Sequence, residues 1–79
     1  MFIYLWDACH FRGVTDDPDR AREAAAACIS SGLASGARVE SALLVSGFAH
    51  MTYGYERTGQ GWQGKRRDSG RVTWRRFAS

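Results

Sequence analysis

Apolar and polar positions divide the chain into short segments with different periods. Residues 2–6 are apolar or aromatic throughout and predict a first strand that is covered on both faces. Residues 7–16 are rich in polar groups and contain a glycine, so we expect a loop there. Alternating side chains predict another strand over residues 37–46, which Gly47 would end.

Between these segments lies the helical signal. Asp16 or Asp17 can cap a helix, and Pro18 suits its first turn because the proline nitrogen has no hydrogen bond to lose there. Apolar residues then recur at helical spacing and form one face: Ala21, Ala24, Ala25, Cys28 and Ile29. Gly32 supplies the C-terminal stop. Because this face is mostly alanine, we expect the helix to pack closely against a sheet.

The last third of the chain interleaves arginine and aromatic residues. We expect three short strands over residues 53–77, joined by a two-residue turn at Gly59-Gln60 and a three-residue loop over residues 68–70. Gly70 would take the left-handed conformation in that loop. This register places Arg67 opposite Arg71, and like charges facing each other across strands destabilise a sheet unless a ligand neutralises them.

The same register sorts the ribbon side chains onto two faces. One face would hold every ring up to Trp74, together with small and basic residues: Tyr53, Tyr55, Arg57, Trp62, Gly64, Arg66, Val72, Trp74 and Arg76. This face is interpreted as core beneath the helix, with a stacking platform for unpaired bases as the alternative. The other face would be polar and mainly cationic.

Together the segments predict one α+β domain over residues 1–79, in the order β-α-β-β-β-β. A single antiparallel sheet of four to five strands would carry one helix on one face. A chain of 79 residues buries only a little over ~60% of its unfolded surface. Its three Trp, three Tyr and four Phe offset this with large burial per residue.

Charge is segregated along the chain. The net charge is +3, but residues 1–40 hold four arginines against six acidic residues, and residues 41–79 hold seven basic residues against two acidic ones. The halves therefore carry −2 and +5. Such a basic, aromatic ribbon is typical of proteins with a polyanionic partner, most often nucleic acid.

The cationic face supplies the candidate binding residues. They are Gln63, Lys65, Arg67, Arg71, Thr73 and Arg75. Guanidinium forks hold phosphate groups or guanine edges, so we expect a small non-enzymatic DNA-binding or regulatory accessory protein. Duplex DNA is favoured because the rings would point toward the helix. There are two alternatives. The first is a protein-interaction module, that is, an inhibitor or adaptor that docks an acidic partner and can itself be a homodimer. The second is a solvated face made arginine-rich by genomic GC bias.

Other chemistry has little support. Asp7, Cys9 and His10 are close in sequence, but neither ligand count nor spacing fits a metal site or a Cys–His nucleophile. We therefore predict no catalytic residue, no metal, no cofactor and no small-molecule substrate. No apolar run is long enough for a signal peptide or a membrane span, so a cytoplasmic location is expected.

Two resemblances accompany these motifs. GVTDD at residues 13–17, RVE at 38–40 and GYERTGQGW at 54–62 resemble short proteins of high-GC Gram-positive bacteria, for which no activity is implied. WQGKR at residues 62–66 and GRVTW at 70–74 resemble the three-stranded sheets of AP2-type and integrase arm-binding domains. The second resemblance implies a DNA-binding sheet surface.

Overall fold

Five strands form one antiparallel sheet, and a single helix lies on one of its faces. The computed structural model describes residues 1–46 and 53–78, without the side chains of Ser46 and Tyr53. The elements are β1 (Phe2–Ala8), β2 (Phe11–Thr15), α1 (Pro18–Ser30), β3 (Gly36–Ser46), β4 (Tyr53–Arg66) and β5 (Val72–Ala78). Neighbours in the sheet follow the order β2-β1-β3-β4-β5. The predicted α+β class and single antiparallel sheet are confirmed, and the predicted strand end at Gly47 lies outside the described residues.

The element order is β-β-α-β-β-β, so the predicted order is wrong. Residues 7–16 contain a strand, because β1 and β2 form a hairpin in which Ala8 pairs with Phe11. Its two turn residues are Cys9 and His10, and Cys9 has a left-handed φ of 62°. Glycine or asparagine normally fills such a position. The turn therefore has no sequence signature, and the short strand after it reads as loop.

The predicted turn at Gly59-Gln60 is also wrong. β4 is one strand of 14 residues that pairs with β3 on both sides of this dipeptide. The register shifts between Glu40 and Ala42 of β3, where residues 58–60 of β4 lie opposite the single residue Ser41. Gly59 takes a φ of 78° within this bulge. The glycine that suggested a hairpin turn takes its positive φ in a β-bulge of a continuous strand instead.

The β4–β5 hairpin agrees with the sequence. Gly64 pairs with Trp74, and Lys65 pairs with Thr73. Arg67 donates its backbone N–H to the carbonyl of Arg71 at 2.8 Å, so these two residues oppose each other next to the loop. Gly70 has a φ of 85°. The three-residue loop, its left-handed glycine and the β4–β5 register are confirmed.

The helix begins and ends as predicted. Asp17 is the N-cap, and its carboxylate accepts the backbone N–H of Asp19 at 2.9 Å. At the other end Gly32 has a φ of 81°, and the N–H of Leu33 reaches back to the carbonyl of Cys28 at 2.9 Å. This is the Schellman arrangement, which satisfies carbonyl groups that the helix leaves free. In the described residues, no helix is both long and apolar enough to cross a membrane.

The core lies between α1 and the sheet face that it covers, called the helix face. Its fully buried members are mainly small: Ala8, Ala21, Ala25, Ile29 and Val39. Trp62 and Trp74 pack against them as partly buried rings, so the core interpretation is confirmed for both. Trp74 fits here because its ring lies over a strand glycine. A Cβ on Gly64 would stand 2.7 Å from the Trp74 ring.

Candidate nucleic-acid interface

The continuity of β4 decides which side chains share a face. Side chains alternate along a strand, so the odd-numbered residues of β4 point away from α1 and Trp62 points toward it. The bulge sets three residues of β4 against one of β3, and it keeps this alternation because it adds two residues, an even number. Tyr55 and Arg57 therefore lie on the same face as Gln63 and Lys65. Their predicted place beside Trp62 is wrong, because that prediction needed a turn where the strand continues.

The sheet face turned away from α1 is called the open face. One row of paired residues crosses all five strands on it: Arg12, Asp7, Arg38, Gln63 and Arg75. The next row is more apolar and runs from Val14 through Leu5 and Glu40 to Gly61 and Phe77. The open face is thus polar toward the β4–β5 loop and increasingly apolar toward the other end.

All six predicted binding residues lie together at the β4–β5 side of the open face. Four of them form the cationic strip, defined as Lys65, Arg67, Arg71 and Arg75. The two neutral residues lie among them, Thr73 opposite Lys65 and Gln63 opposite Arg75. Arg67 donates its Nε–H to the hydroxyl of Thr73 at 2.9 Å, which fixes that guanidinium over β5. Every member of the strip is exposed to solvent.

The charges of the cationic strip are not neutralised within the described chain. The four ion pairs found in residues 1–46 and 53–78 use Arg12, Arg20, Arg22 and Arg57. None of them includes a member of the strip. Four neighbouring positive charges without a counter-ion repel one another, so binding of an anion would be favourable there.

Arg38 extends the cationic strip and was missed from the sequence. Its guanidinium lies 4.2 Å from the centre of the Phe77 ring, so a side chain of β3 contacts a side chain of β5 across β4. Arg38 pairs with Gln63 on β4, so it is the next cation along the row from Arg75. The alternation of side chains along β3 can be predicted from the sequence, but the neighbours of Arg38 on β4 follow only from the β3–β4 register.

A basin of about 610 Å³ lies beside the cationic strip, near the centre of the open face. Glu40 contributes to its lining and is only 6% exposed. Its carboxylate accepts a hydrogen bond from the Arg57 guanidinium at 2.7 Å. That bond raises the pKa of Arg57 above its ordinary value, while desolvation opposes the shift. Leu5 and Val14 form an apolar part of the lining, and Tyr55 a half-exposed aromatic part.

Comparisons with protein-family models, with curated proteins and with solved structures all give no match. What the protein binds is therefore inferred from the geometry and charge of the open face.

The residues weighed for metal or thiol chemistry lie at one end of the β1–β2 hairpin. Cys9 and His10 are its turn, and both are exposed. Asp7 instead forms an ion pair with Arg12 across the two strands at 3.4 Å. In residues 1–46 and 53–78, no group of three or more metal-binding side chains comes together.

Proposed function

We propose that this protein is a small, non-enzymatic, cytoplasmic accessory protein that binds nucleic acid through its open face. The cationic strip supplies the phosphate contacts, with Gln63 and Thr73 as neutral donors. The observation that carries the proposal is the gathering of the strip on one exposed face without a counter-ion among the described residues. A polyanion that lies across β4 and β5 would neutralise several of these charges at once.

The dimensions of the sheet constrain how a duplex could bind. Five strands at a spacing of about 4.8 Å make a face about 19 Å wide, which exceeds the width of about 12 Å of the DNA major groove. The loop end of the β4–β5 hairpin extends past the pairing of β3 with β4 and is narrow enough to enter that groove, and Arg67 and Arg71 lie there. A single strand could instead lie across the whole open face, where Tyr55 and Phe77 accompany the cations. The sequence analysis favoured duplex DNA because the ribbon rings were expected to face the helix, whereas Tyr55 lies on the open face.

The test is fluorescence anisotropy of labelled single-stranded and duplex oligonucleotides over a salt series. Each phosphate neutralised contributes about −0.9 to the log–log slope on duplex DNA and about −0.7 on single strands. The double variant R71Q/R75Q removes two phosphate contacts. Its log–log slope should therefore be less negative than that of the wild type, by about 1.8 on duplex DNA or about 1.4 on single strands. Its affinity should also fall.

A matched control removes the same charge elsewhere. Arg20 lies on α1, and Arg66 lies between Lys65 and Arg67 but faces the other side of the sheet. Both are exposed. The R20Q/R66Q variant should keep nearly the wild-type slope, because neither side chain reaches the open face. No binding at low salt, or an equal loss in both double variants, would contradict the proposal.

A second candidate function is a protein-interaction module, an inhibitor or adaptor that docks an acidic partner or a second copy. Exposed apolar residues favour it, since Val14 is 63% exposed and Phe11 43% exposed at the β2 edge of the sheet. Light scattering during size-exclusion chromatography would detect a homodimer. Pull-down of a specific acidic protein, combined with absence of oligonucleotide binding, would favour this function over the first.

A further inference from the structure

We propose that the basin on the open face binds one unpaired guanine base of a single-stranded nucleic acid. This inference rests on the proposed function, because the cationic strip would hold the phosphates on either side of that base. It assigns the basin a ligand and makes a single strand the preferred substrate over a duplex.

The lining of the basin provides both kinds of hydrogen-bonding group that guanine requires. A carboxylate only accepts hydrogen bonds and a guanidinium only donates them. Glu40 and Arg57 place these two groups side by side, joined by a bond of 2.7 Å. Guanine has N–H donors next to its O6 acceptor on one edge, so it can donate to Glu40 while O6 accepts from Arg57.

Arg57 is free to change partner. Its side chain is 55% exposed, whereas that of Glu40 is 8% exposed. The guanidinium can therefore turn toward a base without losing contact with water. Arg38 lines the same basin and offers further donors, with N7 of the base as an acceptor of the right kind.

The other parts of the lining suit the flat faces of a base. Leu5 and Val14 contribute apolar surface, and Tyr55 contributes a ring that is 49% exposed. Stacking of bases on such rings strengthens single-strand binding and tolerates any base, because every base has a flat π-face. The volume of about 610 Å³ falls in the range of small-molecule sites, about 300–1,000 Å³.

The basin is continuous with the cationic strip. Gln63 lines the basin and pairs with Arg75 of the strip on the next strand. A chain whose base enters the basin can therefore run its backbone past Gln63 toward Arg75 of the strip. A duplex cannot reach this arrangement without flipping the base out, because paired guanine hides the edge that Glu40 would contact.

The experiment measures the affinity of the whole protein for twelve-nucleotide labelled thymidine oligomers that differ at one central position. Guanine at that position should bind about tenfold more tightly than adenine, as one well-placed bidentate pair allows. Inosine, which lacks the exocyclic amine, should fall between them. In the E40Q variant the preference for guanine over adenine should shrink to about twofold, because an amide no longer offers two acceptor oxygens.

A second variant keeps the test valid if E40Q does not fold, which circular dichroism would reveal. Tyr55 is exposed, so Y55A should fold normally and should weaken single-strand binding about fivefold or more through lost stacking. Y55F keeps the ring and should bind as wild type. Salt-dependent binding with equal affinity for guanine and adenine, or tighter binding of the matching duplex, would overturn the inference and leave the proposed function standing. No binding of any oligomer at low salt would overturn both.

Discussion

An added methyl group at Gly64 tests the packing between the sheet and its aromatic core. A Cβ there would lie 2.7, 2.8 and 2.9 Å from three carbons of the Trp74 ring, against about 3.5–4.0 Å for an ordinary contact. The indole must move, and overpacking of this kind costs about 1–3 kcal/mol. Alanine recovers about 0.5–1 kcal/mol because it loses less backbone entropy than glycine in a strand. The middle of each range gives a net loss of about 1 kcal/mol of unfolding free energy for the G64A variant.

The assay is urea and thermal unfolding followed by circular dichroism. A loss of this size lowers Tm by about 4–8 °C in a domain of this length. The control is G54A in the same strand, where Val45 at 3.9 Å is the only contact of a Cβ with the described residues. Since that methyl fits, G54A should be neutral or gain up to about 1 kcal/mol. If the two alanine variants were equally stable, the close contact between Gly64 and Trp74 would be refuted.

Three further substitutions test other parts of the fold by the same unfolding assays. The C9G variant should gain about 1 kcal/mol, because glycine accepts the left-handed φ of Cys9 without strain, whereas H10G next to it should give no gain. The D17A variant should lose about 1 kcal/mol with the helix cap, and D17N should keep most of it. The R57A variant should lose about 1–3 kcal/mol of unfolding free energy, because it leaves the buried Glu40 carboxylate without its hydrogen-bond donor. If the double variant R57A/E40Q lost as much stability as the two single variants together, this coupling would be contradicted.

Local signals in the sequence were sufficient wherever one segment determines its own structure. The helix follows from its cap at Asp17, its alanine face and its stop at Gly32. The β4–β5 hairpin follows from its loop, whose Gly70 fixes the register of the strands on either side. That register brought the six predicted binding residues together on one face. Short-range chemistry therefore predicted both the hairpin and the cationic strip.

Pairing between distant strands accounts for what the sequence could not predict. Gly59 reads as a turn residue, but ten of the eleven residues of β3 pair with β4 on both sides of it and make a bulge more favourable than a hairpin. β2 was missed because Cys9 occupies a turn position that usually requires glycine. In both cases tertiary pairing overrode a local preference, as it often does in sheets.

The basin shows the same limit for the functional site. Tyr55 and Arg57 were predicted on the helix face, and their true neighbours follow only from a continuous β4. Glu40 and Arg38 join them through the β3–β4 register, which no local motif determines. The sequence therefore could predict the cationic strip, which lies on two adjacent strands of one hairpin. It could not predict the basin, which lies across β1, β3 and β4.

The most direct test of the central claim is an NMR titration of the labelled protein with a single-stranded oligonucleotide at low salt. Amide shifts should change most over β4 and β5, at residues 61–67 and 71–77, with smaller changes at Arg38 and Glu40 on β3. The exposed side of α1 should not respond, and the changes should reverse when salt is raised from about 50 to about 200 mM. Shifts centred on α1, or no shifts at low salt, would contradict binding through the open face.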